Sequence, residues 1–158
     1  TYLGNTTMFL SSISKEVISL EPSQKYFKIA ENNLINIDNC KLINSSSEIS
    51  FEDIISNLRD NENVCFYLDG HFSGGDTYKG KADTPVRFEL KVINKYLKKF
   101  KNVSILIDDF RLFNTKKNNE IYPDKSFLIN WAIENNLKWT VTRDMFVMTN
   151  SNIYMDSF

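Results

Sequence analysis

Apolar runs and helical spacings alternate along this chain. Residues 17–20 (VISL) form a short apolar run that closes on Glu21 and predicts a strand. In the following PSQKYFKIAENNL, Tyr26, Phe27, Ala30 and Leu34 recur at helical spacing behind a start signal at Pro22 and Ser23. CKLIN predicts a second short strand. SFEDIISNLRD predicts a helix opened by Ser50, with Asp53 three residues on as a capping-box variant. VCFYLD is a continuous apolar run, the pattern of a strand in a parallel sheet covered on both faces. DTPVRFELKVINKYLKKF is the strongest helix: Thr84 can cap it, Pro85 suits its first turn, and Val86, Leu90, Ile93, Leu97 and Phe100 make an apolar stripe. VSILIDD predicts a buried strand, PDKSFLINWAIENNL a helix, and KWTVTRDMFVMTN two strands about a tight turn near Asp144.

Strictly alternating elements of this kind imply an α/β fold with a doubly wound, mostly parallel sheet. The closing hairpin adds one antiparallel strand. The opening TYLGNTT would follow one further strand, placed ahead of Thr1, and lead into the first helix. Residues 1–158 are read as a single domain that lacks this first strand. Ligands of doubly wound sheets bind outside the carboxyl ends of the strands.

Composition narrows the classes only a little. The 42% hydrophobic and 25% charged fractions are those of an ordinary globular domain. A formal net charge of -1 gives no general attraction to nucleic acid or to an anionic membrane, so neither is expected as a partner. No apolar run approaches the ~20 residues of a membrane span. Cys40 and Cys65, both in apolar runs, read as buried free thiols, which suits a reducing, cytoplasmic setting. Homo-oligomerisation is left open.

The predicted strand ends are where polar chemistry collects. Glu21 follows the first strand, residues 44–47 (NSSS) the second, Asp69 to His71 the third, and Asp108 and Asp109 the fourth. Four of the five glycines and the only histidine fall within FYLDGHFSGGDTYKG, and the remaining glycine is Gly4. A glycine at a strand-to-helix turn lets a ligand approach the backbone beside helix amides. An acid at the next strand end can accept two hydrogen bonds from a ribose diol. Asp69, Asp108 and Asp109 supply three carboxylates from two strands, hard oxygen ligands that suit Mg²⁺, Mn²⁺ or Ca²⁺. Each feature also has a plainer reading. Glu21 can cap a helix, Asp108 and Asp109 can be turn acids, the serines can be loop, His71 can be a satisfied loop histidine, and Arg111 can pair with Asp109.

In order and spacing, TYLGNTT, VISLEPS, LINSSSE, FYLDGH and SILIDDF resemble the successive motifs of class I S-adenosylmethionine-dependent methyltransferases. The similarity is greatest to the metal-dependent O-methyltransferases of the catechol and macrocin type. It runs from residue 1 to about residue 113, and the closing helix and hairpin suit the family's sheet. The resemblance implies a Rossmann-like, three-layer α/β/α fold. It places Tyr2, Gly4, Asn5 and Thr6 in the later half of the cofactor loop, whose acid and first glycine would precede Thr1. It places Glu21 on the ribose, and Ser46 and Ser47 at the adenine. Asp69, Asp108 and Asp109 take the positions of the Mg²⁺ ligands, with Asp69 also at the cofactor.

The implied reaction is in-line methyl transfer from a sulfonium to the hydroxyl oxygen of a small acceptor such as a sugar or natural product. The catechol type carries a lysine shortly after the first aspartate. Here positions 72 and 73 are Phe and Ser, and His71 is the replacement base, assisted by Asp69. Residues 72–83 would form a long polar loop on the acceptor side. Two other readings use the same residues: a methyltransferase-like binding domain without catalysis, and a metal-dependent hydrolase built on the aspartates. The second leaves Glu21 and TYLGNTT unexplained.

Overall fold

A computed structural model describes residues 1–70, 74, 78, 80, 84–113 and 122–151. Five α-helices and six strands alternate along them: α1 (Asn5–Ile13), β1 (Val17–Leu20), α2 (Gln24–Asn33), β2 (Cys40–Ile43), α3 (Ser47–Asn57), β3 (Asn63–Leu68), α4 (Val86–Tyr96), β4 (Asn102–Ile107), α5 (Lys125–Glu134), β5 (Lys138–Thr142) and β6 (Met145–Thr149). Short 3₁₀ turns follow α4 at Leu97–Lys99 and β4 at Phe110–Leu112. None of the described helices is long and apolar enough to cross a membrane.

The described residues fall into two compact units. Thr1–Phe51 makes up nearly all of the first. The described residues from Glu52 onward, Gly74 and Tyr78 apart, make up the second. In the first unit β1 and β2 pair in parallel, Val17 opposite Cys40 through Leu20 opposite Ile43. In the second the strand order is β3-β4-β6-β5. There β3 and β4 are parallel, Asn63 opposite Asn102 through Leu68 opposite Ile107. The hairpin places β6 antiparallel between β4 and β5, with Ile107 opposite Phe146 and Val141 opposite Phe146 on the other side. The α/β alternation and the single antiparallel strand are as the sequence predicts. The strands form one parallel and one mixed sheet rather than a single ladder.

Local chemistry accounts for most boundaries. The helix predicted from Ser50 begins three residues earlier, at Ser47. Ser50 is not its cap: its hydroxyl donates to Ser45 Oγ at 2.6 Å. Ahead of α4 the cap residue is Pro85 and not the expected Thr84, whose Oγ1 accepts the Val86 N–H at 3.4 Å from one residue further out. Val86, Leu90, Ile93 and Phe100 of the predicted stripe are buried. They share the core of the second unit with Phe66, Leu68, Val103, Ile105, Ile107, Leu128, Trp131, Phe146 and Met148.

Two expectations are corrected. Cys65 is exposed and Cys40 only partly buried, so neither thiol is a core residue. The reason in β3 is alternation. Phe66 and Leu68 are buried while Asn63 and Cys65 are exposed, the mark of a strand buried on one face. The continuous apolar run reflects composition and not two-sided burial.

Candidate functional site

In the first unit the chain's opening turn is built around a left-handed Gly4, φ = 90°, which precedes the first residue of α1. A Cβ there would be strained by its backbone and would sit 3.3 Å from Leu34 Cγ, so glycine is required. Tyr2 is also left-handed, φ = 53°, a conformation costly for a bulky residue. Glu21 holds it there: Tyr2 N–H donates to Glu21 Oε2 at 2.7 Å. The other oxygen, Oε1, accepts the Ser23 N–H at 2.9 Å ahead of α2. Glu21 therefore does cap a helix start, and it also organises the glycine turn. Its carboxylate is buried, and two hydrogen bonds leave further accepting capacity on its oxygens.

Around this carboxylate the first unit pairs its polar groups. Thr1 Oγ1 donates to Leu20 O, Thr7 Oγ1 and Ser19 Oγ lie 3.1 Å apart, and Asn44 Nδ2 donates to Glu21 O at 2.8 Å. Asn5 and Thr6 are exposed at the start of α1. Ser47 opens α3, and Ser46 just before it is buried. Its hydroxyl is the one buried side-chain polar atom among the described residues with no hydrogen-bond partner. Such a group costs free energy unless something pairs with it.

In the second unit Asp69 follows β3 and Asp108 and Asp109 follow β4, as predicted. Asp108 Oδ2 accepts the Tyr67 hydroxyl at 2.7 Å, and Oδ1 accepts the Asp109 N–H at 2.8 Å. Burial pushes the Tyr67 phenol well above its ordinary value. The hydrogen bond to Asp108 and the charges of Asp69, Asp108 and Asp109 add to the shift. All three aspartates thus act on one side chain. Asp109 is left-handed at φ = 53° and pairs with Arg111. Arg111 also pairs with Asp144 at the hairpin turn, through both its guanidinium and its backbone N–H. Partial desolvation raises the Asp144 carboxyl, but these Arg111 hydrogen bonds and charge outweigh that and hold it below the ordinary range.

A small pocket at this edge is lined by Asp69, Gly70, Glu89, Asp108, Phe113 and Tyr122, among others. Gly70 sits close to its neighbours: a Cβ would meet Pro85 Cγ at 3.1 Å, so Pro85 would have to give by a few tenths of an ångström. Glu89, Tyr67 and Tyr122 escaped the sequence reading. Glu89 left a signal there, being the only acid on the Val86–Ile93 face of α4, where it is buried in the first turn. Tyr67 left a weaker one, a polar tip inside an apolar strand two residues before Asp69.

The divalent-metal expectation does not fit this arrangement. Among the described residues no group of three His, Cys, Asp or Glu side chains is placed to hold a metal ion. Asp108 is committed to Tyr67 and to its own turn, and Asp109 to Arg111. His71 lies outside the described residues, as does most of 72–83.

No protein-family model and no curated protein sequence matches the chain. Solved structures do. One is SMU.1697c of Streptococcus mutans in complex with S-adenosylhomocysteine: TM-score 0.57, 18% identity, 94% of this chain and 83% of that one. A second is an rRNA methylase of Streptococcus thermophilus: TM-score 0.51, 18% identity, coverage 92% and 78%. A third is an S-adenosylmethionine-dependent methyltransferase of Aquifex aeolicus: TM-score 0.51, 14% identity, coverage 94% and 77%. The chain has an α/β methyltransferase-like fold. At these identities the likeness speaks for the fold alone. It lends no support to the metal-dependent O-methyl branch or to the expected absence of a nucleic-acid partner.

Proposed function

We propose that this chain is an S-adenosylmethionine-dependent methyltransferase. The observation that carries the reading is Glu21, a buried carboxylate at the carboxyl end of β1 that shapes the Gly4 turn and keeps accepting capacity for a diol. The cofactor fits three further features of the first unit. Gly4 leaves its turn without a side chain, Tyr2 is held beside it, and the buried Ser46 hydroxyl lacks a partner that an adenine could supply. Asn5 and Thr6 put helix amides at the same turn. When bound, the cofactor supplies an electrophilic sulfonium methyl group.

The remaining work falls to this chain's own side chains: binding the acceptor, orienting its nucleophile and taking a proton. Asp69 and Glu89 supply carboxylates to the second unit's pocket for hydrogen bonding an acceptor hydroxyl, beside an Asp108 already engaged by Tyr67. Tyr67 is no base, because its proton is held tightly. His71 keeps the role of proton acceptor in this proposal, since imidazole chemistry operates near neutral pH. The acceptor is a small hydroxylated molecule, and no step runs through a metal.

RNA is a second reading for the acceptor, because one of the similar structures is named an rRNA methylase. The net charge of -1 favours the small molecule. Calorimetry with S-adenosylhomocysteine tests the cofactor assignment, using a chain extended by the strand that the motif order expects before Thr1. Absence of binding would sink the proposal. Transfer of labelled methyl groups from S-adenosylmethionine into small-molecule extracts or into total RNA then separates the two acceptor readings.

A further inference from the structure

The second unit ends its sheet on β5, which among the described residues pairs only with β6. An open strand edge offers unpaired N–H and C=O groups to any other strand, and proteins commonly blunt it with proline, charges or a bulge. The sequence of β5, KWTVT, has no proline, and its one charge is at the first position. Trp139 is 40% exposed and Val141 44% exposed. Both lie on the face that carries Met148 and Phe146, their direct neighbours on β6. The Trp139 ring stacks on Phe146 at 5.6 Å, which fixes its orientation at the edge.

We propose that β5 pairs antiparallel with β5 of a second copy of this chain, about a two-fold axis at Thr140. The strand carries its own complement. In an isologous contact, residue i meets residue j and j meets i. Keeping the apolar face continuous across the joint requires odd positions to meet odd ones. Of the registers that satisfy this, only the one centred on Thr140 uses all five residues of β5. It sets Trp139 against Val141 of the partner subunit and Val141 against the partner's Trp139. Aromatic against β-branched is a favourable cross-strand pair. It sets Lys138 against Thr142 of the partner subunit, so no like charges meet. The apolar row Ile107, Phe146, Val141 would then continue into the second copy, and the polar row of Lys138, Thr140 and Thr142 would stay on the opposite face. An unrelated strand would have to provide all of this, while a second copy provides it by symmetry.

Five residue pairs make a small contact, so association should depend on concentration. Sedimentation velocity over a concentration series is expected to show the mass rising from one chain towards two. T140K and T140E each place like charges together on the axis and should hold the mass at one chain. An equimolar mixture of the two brings opposite charges together and should recover the dimer. Hydrogen exchange on the unmodified chain provides a reading that needs no variant, with protection rising with concentration in β5. A wild-type chain that stays monomeric throughout overturns the proposal. So does a dimer that survives both substitutions, a mixture that fails to recover it, or concentration-dependent protection that spares β5.

Discussion

The two units bury different chemistry. The first buries few apolar side chains, Ala30 and Leu34 among the described residues, against four polar ones, Thr7, Ser11, Glu21 and Ser46. The second holds all the remaining buried apolar side chains of the described residues, with Glu89, Thr149 and Ser151 the polar exceptions. Buried polar groups bring direction and cost free energy when unpaired, whereas buried apolar groups bring stability without direction. The first unit's buried side chains are thus mostly directional and the second unit's mostly cohesive. The second unit's own polar chemistry sits at one edge of an apolar core.

This contrast can be tested by substitutions whose effects should differ in kind. The largest change in stability is expected from Ile105→Ala in the centre of β4, where the side chain is fully buried. Chemical denaturation should show a loss of about 2–5 kcal/mol. An effect well below that would mean that the second unit is not the stable part. Glu21→Gln keeps an acceptor for the Tyr2 and Ser23 amides but removes the charge. Hydrogen bonds to charged groups contribute about 1.5–3 kcal/mol, so S-adenosylhomocysteine binding should weaken roughly 10- to 100-fold. The unfolding midpoint should move far less than in the Ile105 variant.

Ser46→Ala sharpens the comparison because its two effects should have opposite signs. Removing an unpartnered buried hydroxyl should leave stability unchanged or raised. Calorimetry should show cofactor affinity falling by about fivefold, the value of one ordinary hydrogen bond. A loss of stability with unchanged affinity would make Ser46 a structural residue only.

The smallest effect concerns the acidic edge. The Tyr67 phenol is raised in the folded state, so the stability it contributes is fully present below its unfolded value near pH 10. That stability is lost as pH rises towards the folded value, and solvent screening at this half-exposed side chain keeps it small. Ultraviolet titration should find a tyrosine ionising above the ordinary phenol range, and Tyr67→Phe should remove that late step. If the late step survives, the Tyr67–Asp108 hydrogen bond is not formed in solution.

Much of this was legible in the chain itself. The apolar run at residues 17–20 gave β1 to the residue, because a short run closed by Glu21 and Pro22 can neither extend as strand nor begin as helix elsewhere. The hairpin turn at Asp144 was equally clear. The start of α3 was missed because three successive serines all resemble caps, and only the Ser50–Ser45 hydrogen bond shows which role each has. The strand-end positions of Glu21, Asp69, Asp108 and Asp109 followed from alternation and spacing, since those quantities are local.

Partnership is not local, and there the sequence by itself stopped. Three carboxylates at two strand ends have the composition of a metal site. In the folded chain Tyr67, 41 residues away, takes up Asp108 instead, while Asp109 makes the Arg111 pair that the sequence had offered as its plainer reading. The burial of Glu89 depends on which face of α4 meets the core, and the exposure of Cys65 on which face of β3 is covered. Sequence pattern determined the order of the elements and the positions of the acids. Tertiary packing decided which of those acids remain available, because a side chain's partners are set by neighbours brought together from distant parts of the chain.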